Sequence, residues 1–237
     1  MSTVQTDFDR IALASPEGAT HNDHYLNYLL RHAPAHLGAA LDIGCGKGEL
    51  SRQLAVRSKH VLAIDLSPEM IRLAREHSRT FSNIEFQLAD VLTCDLPAAN
   101  FDCVASIATL HHLPLRDTIQ KMKAALKPGG VLLILDLFAQ RGVLDTVLNP
   151  VAMAVSVTLR LIHQHRLLPP REVRAAWAVH GAHDIYPTMT EVHALCADLL
   201  PGAKIKKHLL WRYSIVWQKD DVRHASACRG DSQPSGK

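Results

Sequence analysis

The chain has little with which to cross-link itself or to hold a metal through sulfur. Its five cysteines, Cys45, Cys94, Cys103, Cys196 and Cys228, are odd in number and form no CxxC pair. A disulfide framework and a cysteine-ligated metal are therefore not expected, no metal site is assigned, and a reduced, cytoplasmic protein is the simplest reading. The opening residues MSTVQTDFDR contain acids and no basic stretch leading into an apolar one, so no secretory signal is expected. No block of one charge is present: the formal net charge is +3 with the basic residues spread along the chain, and nucleic acid is not the expected partner. Uninterrupted apolar runs are also short. Residues 143–162 come nearest to a bilayer span, but Asp145, Asn149, Pro150 and Arg160 break them, and a buried or lid helix is expected there in place of stable membrane insertion. No internal repeat is visible, and nothing in the pattern fixes an oligomeric state.

What is present describes an ordinary folded enzyme-sized chain, 237 residues with 47% hydrophobic and 21% charged content. One α/β domain over residues 1–218 is expected, with a lid inserted at about 139–187 and a disordered tail over 219–237. The fifteen histidines make the charge sensitive to mild acid.

Short apolar runs alternate with amphipathic stretches, the pattern of a parallel sheet covered by helices. Strands are predicted at 39–43, 61–65, 84–88, 101–107 and 131–137. The last is apolar until Asp136, as a central strand buried on both faces would be. Helices are predicted from the glycine loop to about Arg57, after Ser67 as N-cap with Pro68 at the first helical position, over 117–126, and over 188–200. The segment Lys127-Pro128-Gly129-Gly130 reads as a stop between the third of these and its strand, and 203–210 with 213–218 as a terminal hairpin.

The sharpest local signal is LDIGCGKGEL, with Gly44, Gly46 and Gly48 after a strand and before a helix. Glycines there let the backbone turn and approach a ligand, while the helix N-terminus offers amides to a negative group. Where a dinucleotide fingerprint places its third glycine or alanine this chain has Glu49, the wrong sign for a pyrophosphate. Two further acids end successive strands: Asp65, about 20 residues beyond the loop, suited to ribose hydroxyls, and Asp90, suited to an adenine amine. Singly, each is an ordinary turn residue.

As a set, LDIGCGKGEL, AIDLSPEMI, QLADVL, FDCVASIATLHHL and LKPGGVLLILD resemble the class I S-adenosylmethionine-dependent methyltransferases, particularly the bacterial small-molecule group that shares the HHL segment. LLWRYSIVWQK resembles that group's terminal hairpin. The resemblance implies an α/β fold with a Rossmann-like, seven-stranded, mostly parallel sheet, an antiparallel terminal hairpin strand and an inserted helical lid. It implies S-adenosyl-L-methionine as cofactor. Gly44, Cys45, Gly46 and Gly48 would line its methionine part with Asp42 nearby, and Asp65 would hold the ribose. Leu66 and Met70 would flank adenine, Asp90 and Val91 would read its edge, and Ile107 would lie beneath the sulfonium. The D/N-P-P-Y/F segment of amino-directed nucleic-acid methyltransferases is absent; Ser106-Ile107-Ala108-Thr109 stands in its place.

Methyl transfer from a sulfonium needs alignment and dryness more than a nucleophile from the protein. His111 and His112 are the candidate bases, because they follow the fourth strand and imidazole takes a proton near neutral pH; packing and turn-capping are their plainer roles. Substrate-contact candidates are Tyr25 beside His24, the lid's His183 and Tyr186 with His180 and Asp184, and Arg212 and Tyr213 of the hairpin. The lid's Met153, Val155, Val157 and Trp177 point to a hydrophobic acceptor methylated on oxygen or nitrogen. The competing readings are a non-catalytic binder of the same cofactor, a nicotinamide oxidoreductase, which Glu49 disfavours, and an enzyme acting on a lipid-like acceptor at a membrane surface.

Overall fold

A computed structural model describes residues 3–14, 23–140, 143–164, 168–181 and 184–221. His183, Cys228 and the expected tail beyond 221 lie outside the described residues. Seven strands form one sheet in the order β3-β2-β1-β4-β5-β7-β6. Strands β1 (Leu37–Ile43), β2 (Ser58–Asp65), β3 (Ile84–Leu88), β4 (Phe101–Ile107) and β5 (Leu126–Leu137) run parallel. The hairpin of β6 (Lys204–Lys207) and β7 (Arg212–Gln218) adds two antiparallel strands beside β5. Parallel strands need long crossovers, and here helices supply them. They are α3 (Glu49–Ala55), α4 (Pro68–His77) and α5 (Leu115–Ala125), with α8 (Met189–Leu199) leading into the hairpin. The central strands are apolar because both faces are covered: Ala40, Leu41, Val104, Leu132 and Ile134 have no exposed surface.

The strand order reverses between β1 and β4, so the connections leaving their C-terminal ends diverge and open a crevice between them. Ser106 closes the base of that crevice by donating from its hydroxyl to Ile43 O at 2.8 Å.

The sequence places the elements correctly and their ends less so. Ser67 caps α4, its hydroxyl accepting from Met70 N, with Pro68 opening the helix. The Lys127-Pro128-Gly129-Gly130 segment is no stop: β5 begins at Leu126 and carries it through a register shift opposite β4. Local turn chemistry gives way there to sheet pairing, since Gly129 N bonds Lys219 O and Lys219 N bonds Gly130 O.

Helices that cross no pair of strands shape the site. In the lid, α6 (Val143–Gln164) and α7 (Arg171–Gly181) follow β5. Helix α1 (Thr3–Ala14), which no sequence signal announced, packs against α4 and α7. Helix α6 buries Ala152 and Ser156 on one face while Val151 and Met153 stay outside, and among the described residues no helix is long and apolar enough to cross a membrane. Trp177 and Met153 are half exposed, so they do not line an interior chamber.

Helix α8 starts with a reciprocal cap: Thr188 Oγ1 accepts from Glu191 N, and Glu191 Oε2 accepts from Thr188 N at 2.7 Å. Replacing Thr188 with alanine should cost about 1 kcal/mol and lower Tm by about 2–4 °C, read by thermal denaturation.

His208, ahead of β7, lies between the Tyr25 and Tyr28 rings of α2 (Asp23–Leu30), and its Nε2 is 2.8 Å from Ser214 Oγ. Burial, reinforced by Lys206, pushes its pKa down to about 4. The unfolded chain, at roughly 6.5, therefore takes this proton first, and the contribution of His208 is full above 6.5 and lost as pH falls toward 4. Asp42, which burial pushes up to about 7, works in the opposite sense over much of that window. The measurable quantity is thus the difference between proteins: His208→Gln should lose less Tm than wild type between pH 6.5 and 4.

Candidate active site

The glycine loop leaves β1 with Gly44, Gly46 and Gly48 at φ +71, +51 and +80°. All three lie in the left-handed region where a side chain is strained. Gly44 is also sterically locked, because an added Cβ would stand 2.1 Å from Thr109 Oγ1 across the crevice. Gly46 is different: nothing lies within 4 Å of the place a Cβ would occupy. The Gly44 and Cys45 amides donate to Ile64 O, and Asp65 pins the loop's centre by accepting from Gly46 N at 2.8 Å and from Ser67 N at 2.9 Å. Burial raises the pKa of Asp65. Asp42 is fully buried, accepts from the Ser51 hydroxyl at 2.6 Å, and is pushed up to about 7 by burial, with the Asp65 charge adding to the effect.

The other loop residues spread around this nucleus. Asp90 turns the chain after β3, one carboxylate oxygen accepting from Leu92 N at 2.8 Å, and Val91 is buried behind it. Leu66 and Ile107 are partly buried. Cys45 points into a cluster with Ala63, Ile71 and Phe86, and Met70 packs with Ile11 and Ala12 of α1. Asp9 of the same helix accepts from the Ser67 hydroxyl at 2.5 Å, so α1 seats on the N-terminus of α4 beside Asp65.

Beyond the end of β4 lies a chamber of about 220 Å³ lined by Thr3, Val4, Asp7, His111, His112, His180, Asp184 and Ile185. A groove of about 500 Å³ along α4 is larger, but its arginines Arg72 and Arg79 are engaged by Glu76, and it gathers no histidine. Leu110–His112 form a single 3-10 turn. The carboxylate of Asp136, with no exposed surface, accepts from His111 N at 2.9 Å and faces His111 Nδ1 at 2.6 Å. An acceptor carboxylate on Nδ1 keeps the proton there and leaves the lone pair on Nε2. His112 stacks beside it, ring centroids 3.8 Å apart, with Nδ1 3.3 Å from Asp184 Oδ1. Burial, followed by the neighbouring His111, pushes His112 down to about 4, so it is neutral at neutral pH.

Tyr186 donates its hydroxyl to Asp184 Oδ2 at 2.8 Å and lies 5.1 Å from the His111 ring. Burial and that bond raise its pKa. Arg212 is buried, and its pKa, lowered to about 10 by burial, is held up by Tyr25, Asp136 and Tyr186. Tyr25 is committed to Leu209 O at 2.6 Å. Tyr213 has no exposed surface: it pairs with Asp136 across β5 and β7 and packs in the core with Val192 and Cys196. The structure thus joins His111, His112, His180, Asp184 and Tyr186, adds Asp7 and Asp136, and buries Tyr213 in the core opposite Asp136. Asp136 had a visible signal, a lone carboxylate in an apolar strand that needs a partner when buried. Asp7 had none.

The protein-family profile described as a methyltransferase domain matches residues 40–130. An uncharacterized methyltransferase of Mycobacterium tuberculosis is 30% identical over 205 residues, covering 83% of this chain and 95% of the relative. The chain belongs to the class I S-adenosylmethionine-dependent methyltransferases. This methyltransferase is also 32% identical over 195 residues to a ubiquinone biosynthesis O-methyltransferase of Xylella fastidiosa, covering 76% of the chain and 78% of the relative. Its fold matches that of the N-methyltransferase NodS from Bradyrhizobium japonicum, solved with S-adenosyl-L-homocysteine, at a TM-score of 0.59 and 16% identity over 92% of this chain and 99% of that one.

Proposed function

We propose that the enzyme transfers a methyl group from S-adenosyl-L-methionine to an oxygen or nitrogen of a small, largely hydrophobic acceptor. The observation that carries this reading is the pairing of two half-sites at the sheet's switch point. On one side is an open glycine backbone pinned by Asp65, and on the other a histidine chamber oriented by Asp136.

The residues present fit the cofactor. The unfilled space over Gly46 is a cradle that any side chain would enter, and Asp65 stands beside it as an acceptor for ribose hydroxyls. Gly44, Gly48 and Asp42 would complete the methionine end, with Leu66, Met70, Asp90 and Val91 toward adenine and Ile107 beneath the sulfonium. When bound, the cofactor supplies an electrophilic methyl carbon. His111, with Nδ1 held by Asp136, would take the acceptor's proton on Nε2 as the acceptor is methylated. Val4 and Ile185 give the acceptor's apolar part a wall, while Tyr186 and Arg212 offer polar contacts.

Incubating the protein with the cofactor and a panel of phenols, catechols and amines, apolar and charged, tests the reading by mass spectrometry. Methylated apolar phenols or amines are the expected products. Turnover of highly charged acceptors alone would remove the hydrophobic assignment, and cofactor binding without any methylated product would favour a binding role.

A further inference from the structure

Three side chains in the chamber, from two segments some seventy residues apart, are arranged as ligands. His111, His112 and Asp184 each offer one ligand atom, and those atoms lie within 4.8 Å of one another. We propose that they hold a divalent transition-metal ion of the zinc or cobalt kind, with at least one coordination position left open to the acceptor. This rests on the reading of the chamber as the acceptor site.

The donor set is two imidazoles and one carboxylate, which suits zinc, iron, cobalt or nickel better than magnesium. The spacing is near what an ion needs. Metal–nitrogen bonds of about 2.0–2.1 Å at tetrahedral angles place neighbouring ligand atoms about 3.4 Å apart. The three ligand atoms all lie within 4.8 Å of one another, so binding an ion would draw them together by up to about 1.4 Å.

The surrounding groups are those that steady metal ligands. Ligating histidines usually engage their second nitrogen with a carboxylate or carbonyl, and ligating carboxylates accept further hydrogen bonds. Asp136 engages His111 Nδ1 at 2.6 Å, leaving Nε2 for the ion, and Tyr186 donates to Asp184 Oδ2 at 2.8 Å. His180 stands behind, Nε2 3.7 Å from Asp184 Oδ2 and Nδ1 3.6 Å from Asp7 Oδ2.

A second observation is independent of the spacing. His112 is buried, its side chain only 6% exposed, yet its Nε2 has no hydrogen-bond partner among the described residues. A buried polar atom left unpaired normally costs about 1–3 kcal/mol. Coordination through Nε2 would give that atom its partner and leave Nδ1, 3.3 Å from Asp184 Oδ1, to donate to the carboxylate. A coordinated acceptor hydroxyl loses its proton to solvent more readily than a free one, so the ion takes over the work that His111 does as a base in the metal-free enzyme.

The test uses the full chain stripped with a chelator, without cofactor or acceptor. Cobalt(II) is titrated and followed by visible absorption, and zinc by calorimetry. One equivalent of cobalt should bind with an intense tetrahedral-type spectrum. Asp184→Asn and His112→Gln should each weaken binding at least about tenfold. His193→Gln, an exposed histidine on α8, should leave it unchanged, with Tm measured for every variant. No cobalt or zinc binding, or binding that both chamber variants retain, overturns the proposal. Cofactor affinity is measured separately by calorimetry: its failure while cobalt still binds would overturn the cofactor reading and leave the metal site standing, and the reverse result would do the opposite.

Discussion

Replacing Asp65 with alanine should weaken binding of S-adenosyl-L-methionine by about 100-fold or more, measured by calorimetry. The carboxylate acts in two directions. Toward the ligand, two charge-assisted hydrogen bonds to ribose hydroxyls at about 1.5–3 kcal/mol each would supply most of that factor. Toward the protein, it accepts from Gly46 N and Ser67 N, and its removal loosens the loop that meets the cofactor. The chain should still fold, because a buried carboxylate whose pKa burial has raised is no net gift to stability. Two glycine variants separate binding from folding. Gly46→Val fills the open space and should abolish binding at the modest cost, about 1–2 kcal/mol, of a side chain in left-handed backbone. Gly44→Ala drives a methyl into Thr109 and should lose both binding and Tm. Retained affinity in Asp65→Ala would move the ribose elsewhere.

Asp136→Asn should lower kcat by about 10²–10⁴-fold while cofactor affinity stays within about twofold. Three N–H groups converge on this carboxylate: Oδ1 accepts from Leu137 N and faces His111 Nδ1, and Oδ2 accepts from His111 N. An amide is nearly isosteric but sets an NH₂ against one of those donors. The easiest relief is for His111 to move its proton to Nε2, which blocks the nitrogen that faces the chamber, whether it acts as base or as ligand. A kcat loss with unchanged KM and a shifted pH profile marks this positioning role. A fall in Tm with full activity in the folded fraction would reduce Asp136 to a structural residue.

The residues proposed for the cofactor half were legible because most of them are tied to a strand end. Strand periodicity locates Ile43, Asp65 and Leu88, and the positive φ values at Gly44, Gly46 and Gly48 explain why glycine alone serves there. The chamber was only partly legible. His111 and His112 announced themselves by position, but their partners come from α1, β5, α7 and the segment after it, brought together by packing that no local spacing encodes. Cysteine spacing says nothing of a chamber whose histidines, His111, His112 and His180, come from two distant segments. Arg212 and Tyr213 show the finest limit: both are buried, Tyr213 as the register partner of Asp136 and Arg212 as that of Leu137, and burial on a terminal strand is set by packing that the sequence does not spell out.

Helix α1 grips both halves at once. Asp9 holds Ser67 at the cofactor end, and two residues earlier Asp7 faces His180 at the chamber end. One short helix thus ties the N-terminus of α4 to the histidine chamber, so a change that unseats it disturbs both at once.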